Sequence, residues 1–456
     1  MNKPLIRSPF YLACLLLLSS FAGWAQMPHI LSLKEQTAVI DRLLADKVQT
    51  VLPDLMRETG IDMWLVMARE YNEDPVIRTL LPAIWHAARR RTILVMYDPG
   101  AGQALETLAV ARYDVGTVFK KAWDKDQQPD QWQRLVEVIN ERNPKKIGLN
   151  LSAHYGQADG LTHTEHQAFM AVLPAQFQDR VVSAESLAVR WLETRTPKEM
   201  AIYPQVVRMA HTILAEGLSS QAIQPGVTTT EDLAWWYRER IKGLKLDTWF
   251  HPSVSTQRAD AESFDHLRTF DKRPDKNIIQ PGDLIHVDMG LTYLRMNTDT
   301  QQHAYVLKPG ETAVPAYLQQ ALQNANRLQD IFTQNFKVGR TGNEVLAMSR
   351  QQAIKEGLKP AIYTHPIGYY GHAAGTTLGM WDSQSGVPHT GDHPLHANTA
   401  YAIELNAATY IKEWDKEIRI MLEEDAFFDG QQVRYMHGRQ TEIHMIPRPN
   451  HSALKP

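Results

Sequence analysis

The residues of this chain best suited to chemistry are Asp288, Asp299, His365, Glu404 and one of the adjacent pair Glu423 and Glu424. Each sits in its own short apolar or glycine-bounded segment. Carboxylate oxygens suit Mn²⁺, Mg²⁺ or Fe²⁺, and an imidazole extends the range to Zn²⁺ and Co²⁺. Four carboxylates buried together without a cation would repel one another and resist ionisation. The set therefore reads as the ligands of two divalent cations, and the chain as a two-metal hydrolase.

The segments around these residues set their expected placement. Pro281-Gly282-Asp283 is a turn signal that launches a strand over Leu284 to Gly290, with Asp288 between apolar neighbours. Asp299 lies eleven residues on, just before a second strand at Ala304 to Leu307. A hairpin of the two brings both carboxylates to one end of neighbouring strands. Taken singly, each is better read as a turn or strand-end Asp. His365 and His372 lie seven apart in a loop whose glycines let backbone approach a site closely. Glu404 and Glu423 each end an apolar strand run, where a lone carboxylate is costly unless paired or on a metal. Glu424 points to the opposite face of a regular strand from Glu423. No Walker or dinucleotide glycine pattern and no Gly-x-Ser-x-Gly occurs.

Two kinds of region hold these segments. Strands at Ile61 to Met67, Thr92 to Tyr97, Thr107 to Ala111 and Lys146 to Asn150 alternate with helical patterns at Leu33 to Glu58, interrupted at Pro53, and at Gln131 to Arg142. That alternation predicts an α/β domain. It holds few convergent His, Asp or Glu residues. A break follows at Arg195 to Glu199, where Thr196 is a predicted N-cap and Pro197 fits the first helical position. A second helix is predicted from Thr228, with Glu231 completing a capping box. Helices at Ala316 to Phe332 and Asn343 to Glu356, and strands at Thr399 to Leu405 and Glu417 to Phe428, predict an α+β domain with helices on one face of a sheet.

The whole chain bounds the reading. At 456 residues it exceeds one ordinary core. With 43% apolar and 22% charged residues it has the composition of a globular protein. A net charge of −3 without basic blocks gives no reason to expect a nucleic-acid partner. Lys3 and Arg7, an apolar run opening at Tyr11, and Gly23-Trp24-Ala25 form a signal-peptide pattern with Gln26 as the expected new N-terminus. The run is short for a membrane anchor. Export to a periplasm or outside the cell is expected, without stable membrane insertion after cleavage. Cys14, inside that segment, is the single cysteine, so disulfides, zinc–thiolate sites and cysteine nucleophiles are excluded from the mature chain. The expected organisation is a signal peptide at 1–25, the α/β domain at 26–190 and the α+β domain at 191–456.

The order Asp, eleven residues, Asp, then His365-x-x-Gly368-x-x-x-His372, then Glu404 and Glu423 in strands resembles the M24 metallopeptidases, the family of methionine aminopeptidases, Xaa-Pro aminopeptidases, prolidases and creatinase. The resemblance is most specific over Pro281 to Phe428. It implies a creatinase-like N-terminal domain followed by a pita-bread catalytic domain, and the two-domain layout favours the proline-directed branch. By resemblance, Asp288 binds one metal, Asp299 bridges both, His365 and Glu404 bind the second, and Glu423 bridges. Mn²⁺ is the first expectation, with Zn²⁺, Co²⁺ or Fe²⁺ as alternatives. His372 contacts substrate, Glu404 moves the proton, and His266 is the nearest candidate for an upstream substrate histidine, with His251 competing. A short peptide is the expected substrate, and a homodimer is common among such enzymes. The chain departs from the family at His365-Pro366, Glu404-Leu405-Asn406 and Met421-Leu422-Glu423-Glu424, beside the ligand positions rather than on them. These changes keep three other readings open: a creatinase-like C–N hydrolase, a lyase of the same fold, and an inactive binding protein.

Overall fold

The computed structural model describes residues 27–100, 102–260 and 277–447. The predicted signal peptide and His266 lie outside them. Among the described residues no helix is long and apolar enough to cross a membrane.

The N-terminal region opens with helices α1 (Leu33–Thr50) and α2 (Leu52–Thr59). Ser32 caps α1 and exchanges hydrogen bonds with Glu35 in a capping box. The predicted interruption falls at Val51. Pro53 then sits in the first turn of α2, where its missing N–H removes no helical hydrogen bond. Six strands follow, β1 (Met63–Arg69), β2 (Arg91–Tyr97), β3 (Glu106–Val110), β4 (Lys120–Lys121), β5 (Ile147–Leu149) and β6 (Val181–Ser183), in the spatial order β4-β3-β2-β1-β5-β6. Between and after them lie α3 (Pro75–Leu80), α4 (Gln131–Arg142), α5 (His163–Val172), α6 (Ala175–Gln178) and α7 (Glu185–Glu193). Alternation along β1 divides its side chains between two cores. Trp64, Val66 and Ala68 join α1, α2 and α7, while Met63, Leu65 and Met67 join α4 and α5.

The C-terminal region starts at α8 (Pro197–Gly217), capped by Thr196 as the sequence predicts, with Glu199 closing a capping box. Glu199 is buried and also pairs with Arg195 at 3.2 Å. For α9 (Thr230–Gly243) the prediction is off by one residue: Thr229, not Thr228, is the N-cap, and Asp232, not Glu231, completes the box. Either threonine satisfies the pattern by spacing. Thr228 is instead tied into the preceding turn, where its hydroxyl accepts from Gln224 N. The remaining elements are β7 (Ser253–Gln257), β8 (Leu284–Met289), β9 (Thr292–Tyr293), β10 (Met296–Asn297), β11 (Thr300–Val306), α10 (Ala316–Gln334), α11 (Gly342–Lys355), β12 (Lys359–Ile362), β13 (His365–Pro366), β14 (Thr399–Ile411), β15 (Lys416–Phe428), β16 (Val433–Tyr435) and β17 (His444–Ile446).

One sheet runs through this region in the order β12-β14-β15-β11-β8-β7, with β13 on β14, β16 on β15 and β17 on β11. Helices cover it in two pairs. α8 and α9 bury Ile285 and Val287 of β8, while α10 and α11 bury Ile403 and Leu405 of β14 with Leu422 of β15. Register places all of these on one face of the sheet. This is the pita-bread arrangement, and it leaves the opposite face for the site.

The α8–α9 crossing depends on Gly217, whose added Cβ would sit 2.2 Å from the ring of Tyr237. That ring is fully buried and its hydroxyl donates to Leu214 O at 2.9 Å, so it has nowhere to move. Alanine in a helix ordinarily gains up to about 1 kcal/mol over glycine. Gly217→Ala is expected to do the opposite and cost roughly 1–3 kcal/mol through overpacking. Thermal unfolding checks the sign: a lower midpoint is expected, and a raised midpoint contradicts the close approach.

Candidate metal centre

Strand register assembles the centre. Asp288 pairs with Gln301, Gln301 with Glu423, and Glu423 with Glu404. Residues directly opposite in neighbouring antiparallel strands share a face. One row across four strands therefore presents these side chains together, on the face away from the helices. Asp299 precedes Gln301 by two and joins the row. His365 pairs with Ala402, two before Glu404, and enters from β13.

The ligand atoms form two overlapping clusters. Asp288, Asp299 and Glu423 each offer an atom within 4.8 Å of the others, and so do His365, Glu404 and Glu423. Glu423 belongs to both. His365 Nε2 lies 3.5 Å from Glu423, 3.7 Å from Asp299 and 4.0 Å from Glu404. Glu424 takes the other face, as alternation requires. Its Oε2 pairs with His211 of α8 at 2.7 Å and its Oε1 accepts from Gln302 and from Gln440 N. The adjacent glutamates are thus separated by the sheet.

The electrostatics of the row call for cations. Burial, and then the charges of neighbouring carboxylates, push Asp299, Glu404 and Glu423 well above the usual carboxylate range. Burial pushes His365 down to about 4, which keeps its imidazole neutral. Asp299 Oδ1, Glu423 Oε1 and His365 Nε2 are buried without a hydrogen-bond partner among the described residues. Buried polar atoms are ordinarily satisfied, so three orphaned donor atoms converging on one place fit divalent ions. Asp288, Asp299, His365, Glu404 and Glu423 could hold such ions.

Three positioning residues escaped the sequence reading. Gln301 Nε2 donates to Glu404 at 2.5 Å and to Glu423 at 2.8 Å. That use of the amide nitrogen turns its oxygen toward His286 Nε2 at 2.8 Å, so His286 donates from that nitrogen. Asp425 accepts the Asp299 backbone N–H at 3.3 Å. Each lies two residues from a ligand position: 286 from 288, 301 from 299, 425 from 423. The period-two rule carries that signal.

His372 is the exposed member of a third group with Asp299 and His365. Its ring meets those of His365 and Trp249 edge-on, at 4.6 and 5.0 Å between centroids. The preceding Gly371 is required by contact, since a Cβ there would fall 2.3 Å from the Trp249 indole. The N-terminal region grips the same loop. Tyr370 donates to Pro75 O at 2.6 Å, Tyr155 to Gly375 O at 3.1 Å, and Gln157 to His372 O at 2.8 Å. His251, the competing upstream histidine, packs on Trp235 with ring centroids 4.9 Å apart, and neither residue belongs to the clusters above.

Comparison with known proteins agrees with this architecture. The model of metallopeptidase family M24 matches residues 203–434, just over half of the chain. No curated protein sequence matches the chain. Among solved structures, the X-Pro aminopeptidase of Thermotoga maritima MSB8 is similar with a TM-score of 0.60 at 17% identity, over 86% of this chain and 99% of that one. The Xaa-Pro dipeptidase of Bacillus anthracis gives 0.56 at 16% identity, over 91% and 100%. The prolidase of Pyrococcus furiosus gives 0.53 at 14% identity, over 85% and 99%. At these identities the likeness is one of fold, including the N-terminal domain. The family assignment rests on the matched sequence itself, and by it the protein belongs to metallopeptidase family M24.

Proposed function

We propose that this protein is an exported peptidase that uses two divalent cations to cleave the bond between an N-terminal residue and a following proline in short peptides. The observation that carries the reading is the pair of ligand clusters sharing Glu423. Asp288 and Asp299 would hold one cation and His365 and Glu404 the other, with Glu423 and Asp299 shared between them. Two such ions supply an activated water and a Lewis acid for the scissile carbonyl. Mn²⁺ is the ion proposed, since four of five ligands are carboxylates.

The residues of the chain then have distinct tasks. Gln301 holds Glu404 and Glu423 apart at fixed positions through its two donated hydrogen bonds. Glu404 moves a proton from water to the leaving nitrogen. The imide nitrogen before proline carries no hydrogen of its own, so it depends on that transfer to leave. His372, on the exposed side of the centre and steadied by Trp249, faces the substrate and stabilises negative charge developing on the carbonyl oxygen. Solved structures of an X-Pro aminopeptidase and of prolidases share the fold across both domains, which supports the proline-directed branch. The N-terminal sequence pattern supports export, and Gln26 is the first residue expected in protein recovered outside the cytoplasm.

Three outcomes test this reading. Asp299→Ala is expected to lose bound metal and to lower hydrolysis of an Xaa-Pro dipeptide and tripeptide panel more than about 100-fold, beyond what outer positioning groups contribute. Full activity in that variant, or turnover of creatine-like C–N substrates instead of peptides by the parent, contradicts it. The adjacent glutamates should separate cleanly in metal analysis. Glu423→Gln is expected to lose metal, while Glu424→Gln keeps the parent stoichiometry because its side chain meets His211 across the sheet; equal losses would contradict the assignment. Finally, the raised pKa values of Asp299, Glu404 and Glu423 mean that the metal-free centre retains protons at a pH where ordinary carboxylates have lost them. Cation binding must expel these protons, so affinity should rise with pH. Calorimetry in two buffers of different ionisation enthalpy should register net proton release, and zero release would count against buried carboxylate ligands.

A further inference from the structure

A second constellation lies where the two domains meet, and it shares no residue with the centre described above. Glu193, the last residue of α7, faces His393 and His396 from the loop that leads into β14. Each of the three offers a ligand atom within 4.8 Å of the other two. His393 Nε2 is 3.5 Å from Glu193 Oε1, and the two imidazole centroids are 5.3 Å apart.

The carboxylate of Glu193 is fully buried, and its two oxygens differ. Oε1 accepts from Arg190 Nη1 at 2.6 Å. Arg190 is itself fixed by Glu58 at 3.1 Å and by the Thr194 hydroxyl at 3.2 Å. Oε2 has no hydrogen-bond partner among the described residues. A buried acceptor left bare is costly. An ordinary ion pair does not account for the arrangement. Arg190 already neutralises the carboxylate, and an ion pair with His393 leaves both Oε2 and His396 without a task. A metal ligand does account for it: one oxygen held by an outer-sphere donor, as ligating carboxylates commonly are, and the other free to bind.

We propose that Glu193, His393 and His396 form a separate mononuclear Zn²⁺ site. Two imidazoles and one carboxylate with water in the fourth position match the preferences of Zn²⁺. A cation here fastens the end of the N-terminal domain to the loop before β14, the strand that carries Glu404. The main chain already joins at the same seam, where Arg195 N donates to Asn398 O at 2.7 Å and Thr194 bridges Thr399. By its position at the seam the ion would act as a clasp, with the water position left open as in sites that keep three protein ligands.

The test removes the catalytic centre first. The full-length chain carrying Asp299→Ala and Glu423→Ala is equilibrated with Zn²⁺ alone, desalted and assayed for metal and thermal unfolding. About one Zn²⁺ per chain, and a Zn²⁺-dependent rise in unfolding temperature, are expected. Adding His393→Ala and His396→Ala should abolish both. Failure of the first protein to retain Zn²⁺, or retention unchanged by loss of the histidines, overturns the proposal. Should the fourfold variant not fold, His396→Gln in the same background is loaded with Co²⁺. Loss of the visible absorption of the bound ion is expected, and an unchanged spectrum overturns the proposal. Neither readout depends on peptidase activity, so the clasp and the catalytic reading stand or fall separately.

Discussion

Like-charge repulsion on one face of a sheet is the constraint around which this molecule is organised. Asp288, Asp299, Glu404 and Glu423 are brought together by strand register, away from the helices and mostly away from water. Among the described residues no lysine or arginine pairs with Asp299, Glu404 or Glu423. Gln301 gives the carboxylates two neutral hydrogen bonds, which fix their positions and do little for their charge. The same chain deals with Glu424 very differently. On the helix-covered face it gives that glutamate a histidine partner and two hydrogen-bond donors. Glu424 Oε2 meets its imidazole at 2.7 Å, whereas Glu423 Oε1 meets one only at 3.5 Å and has no hydrogen-bond partner among the described residues, a difference that fits a place reserved for a cation.

The N-terminal domain contributes by position. It places no carboxylate in the row of acidic side chains, yet it holds the loop that carries His372 through Tyr155, Gln157 and the carbonyl of Pro75. Ala374, Tyr369 and Tyr370 pack into its core as well. Loop backbone is thereby fixed from both sides, by Trp249 of the catalytic domain against Gly371 and by the N-terminal domain against the rest. The metal clasp proposed at Glu193 lies at the same seam.

Much of this was legible in the sequence, for identifiable reasons. The candidate ligand positions stand out because a carboxylate inside an apolar strand has few bland explanations, and Glu404 and Glu423 both sit in such runs. That Glu423 and Glu424 part to opposite faces follows from alternation, while the choice of Glu423 for the row comes from the resemblance. Helix starts are legible where a Pro at the first position fixes the phase, as at Thr196-Pro197. Where two threonines adjoin, as at Thr228 and Thr229, spacing does not choose between them, and the preceding turn decides. Gln301 and His286 were missed because uncharged side chains carry no cost signal of their own; Asp425 is a fully buried carboxylate that does carry one, and it was passed over beside the Glu423 and Glu424 pair. Their role appears only when period two is followed outward from each ligand. Glu193 was missed for another reason: its partners are two hundred residues away in sequence, on a loop without periodicity.

The central claim is that two cations share Glu423. Crystals of the parent protein grown with Mn²⁺ and measured at the manganese edge test it directly. Two anomalous peaks roughly 3.5–4 Å apart, one beside Asp288 and Asp299 and the other beside His365 and Glu404, with Glu423 between them, are the predicted result. A single peak, or none within this row of carboxylates, would contradict the account.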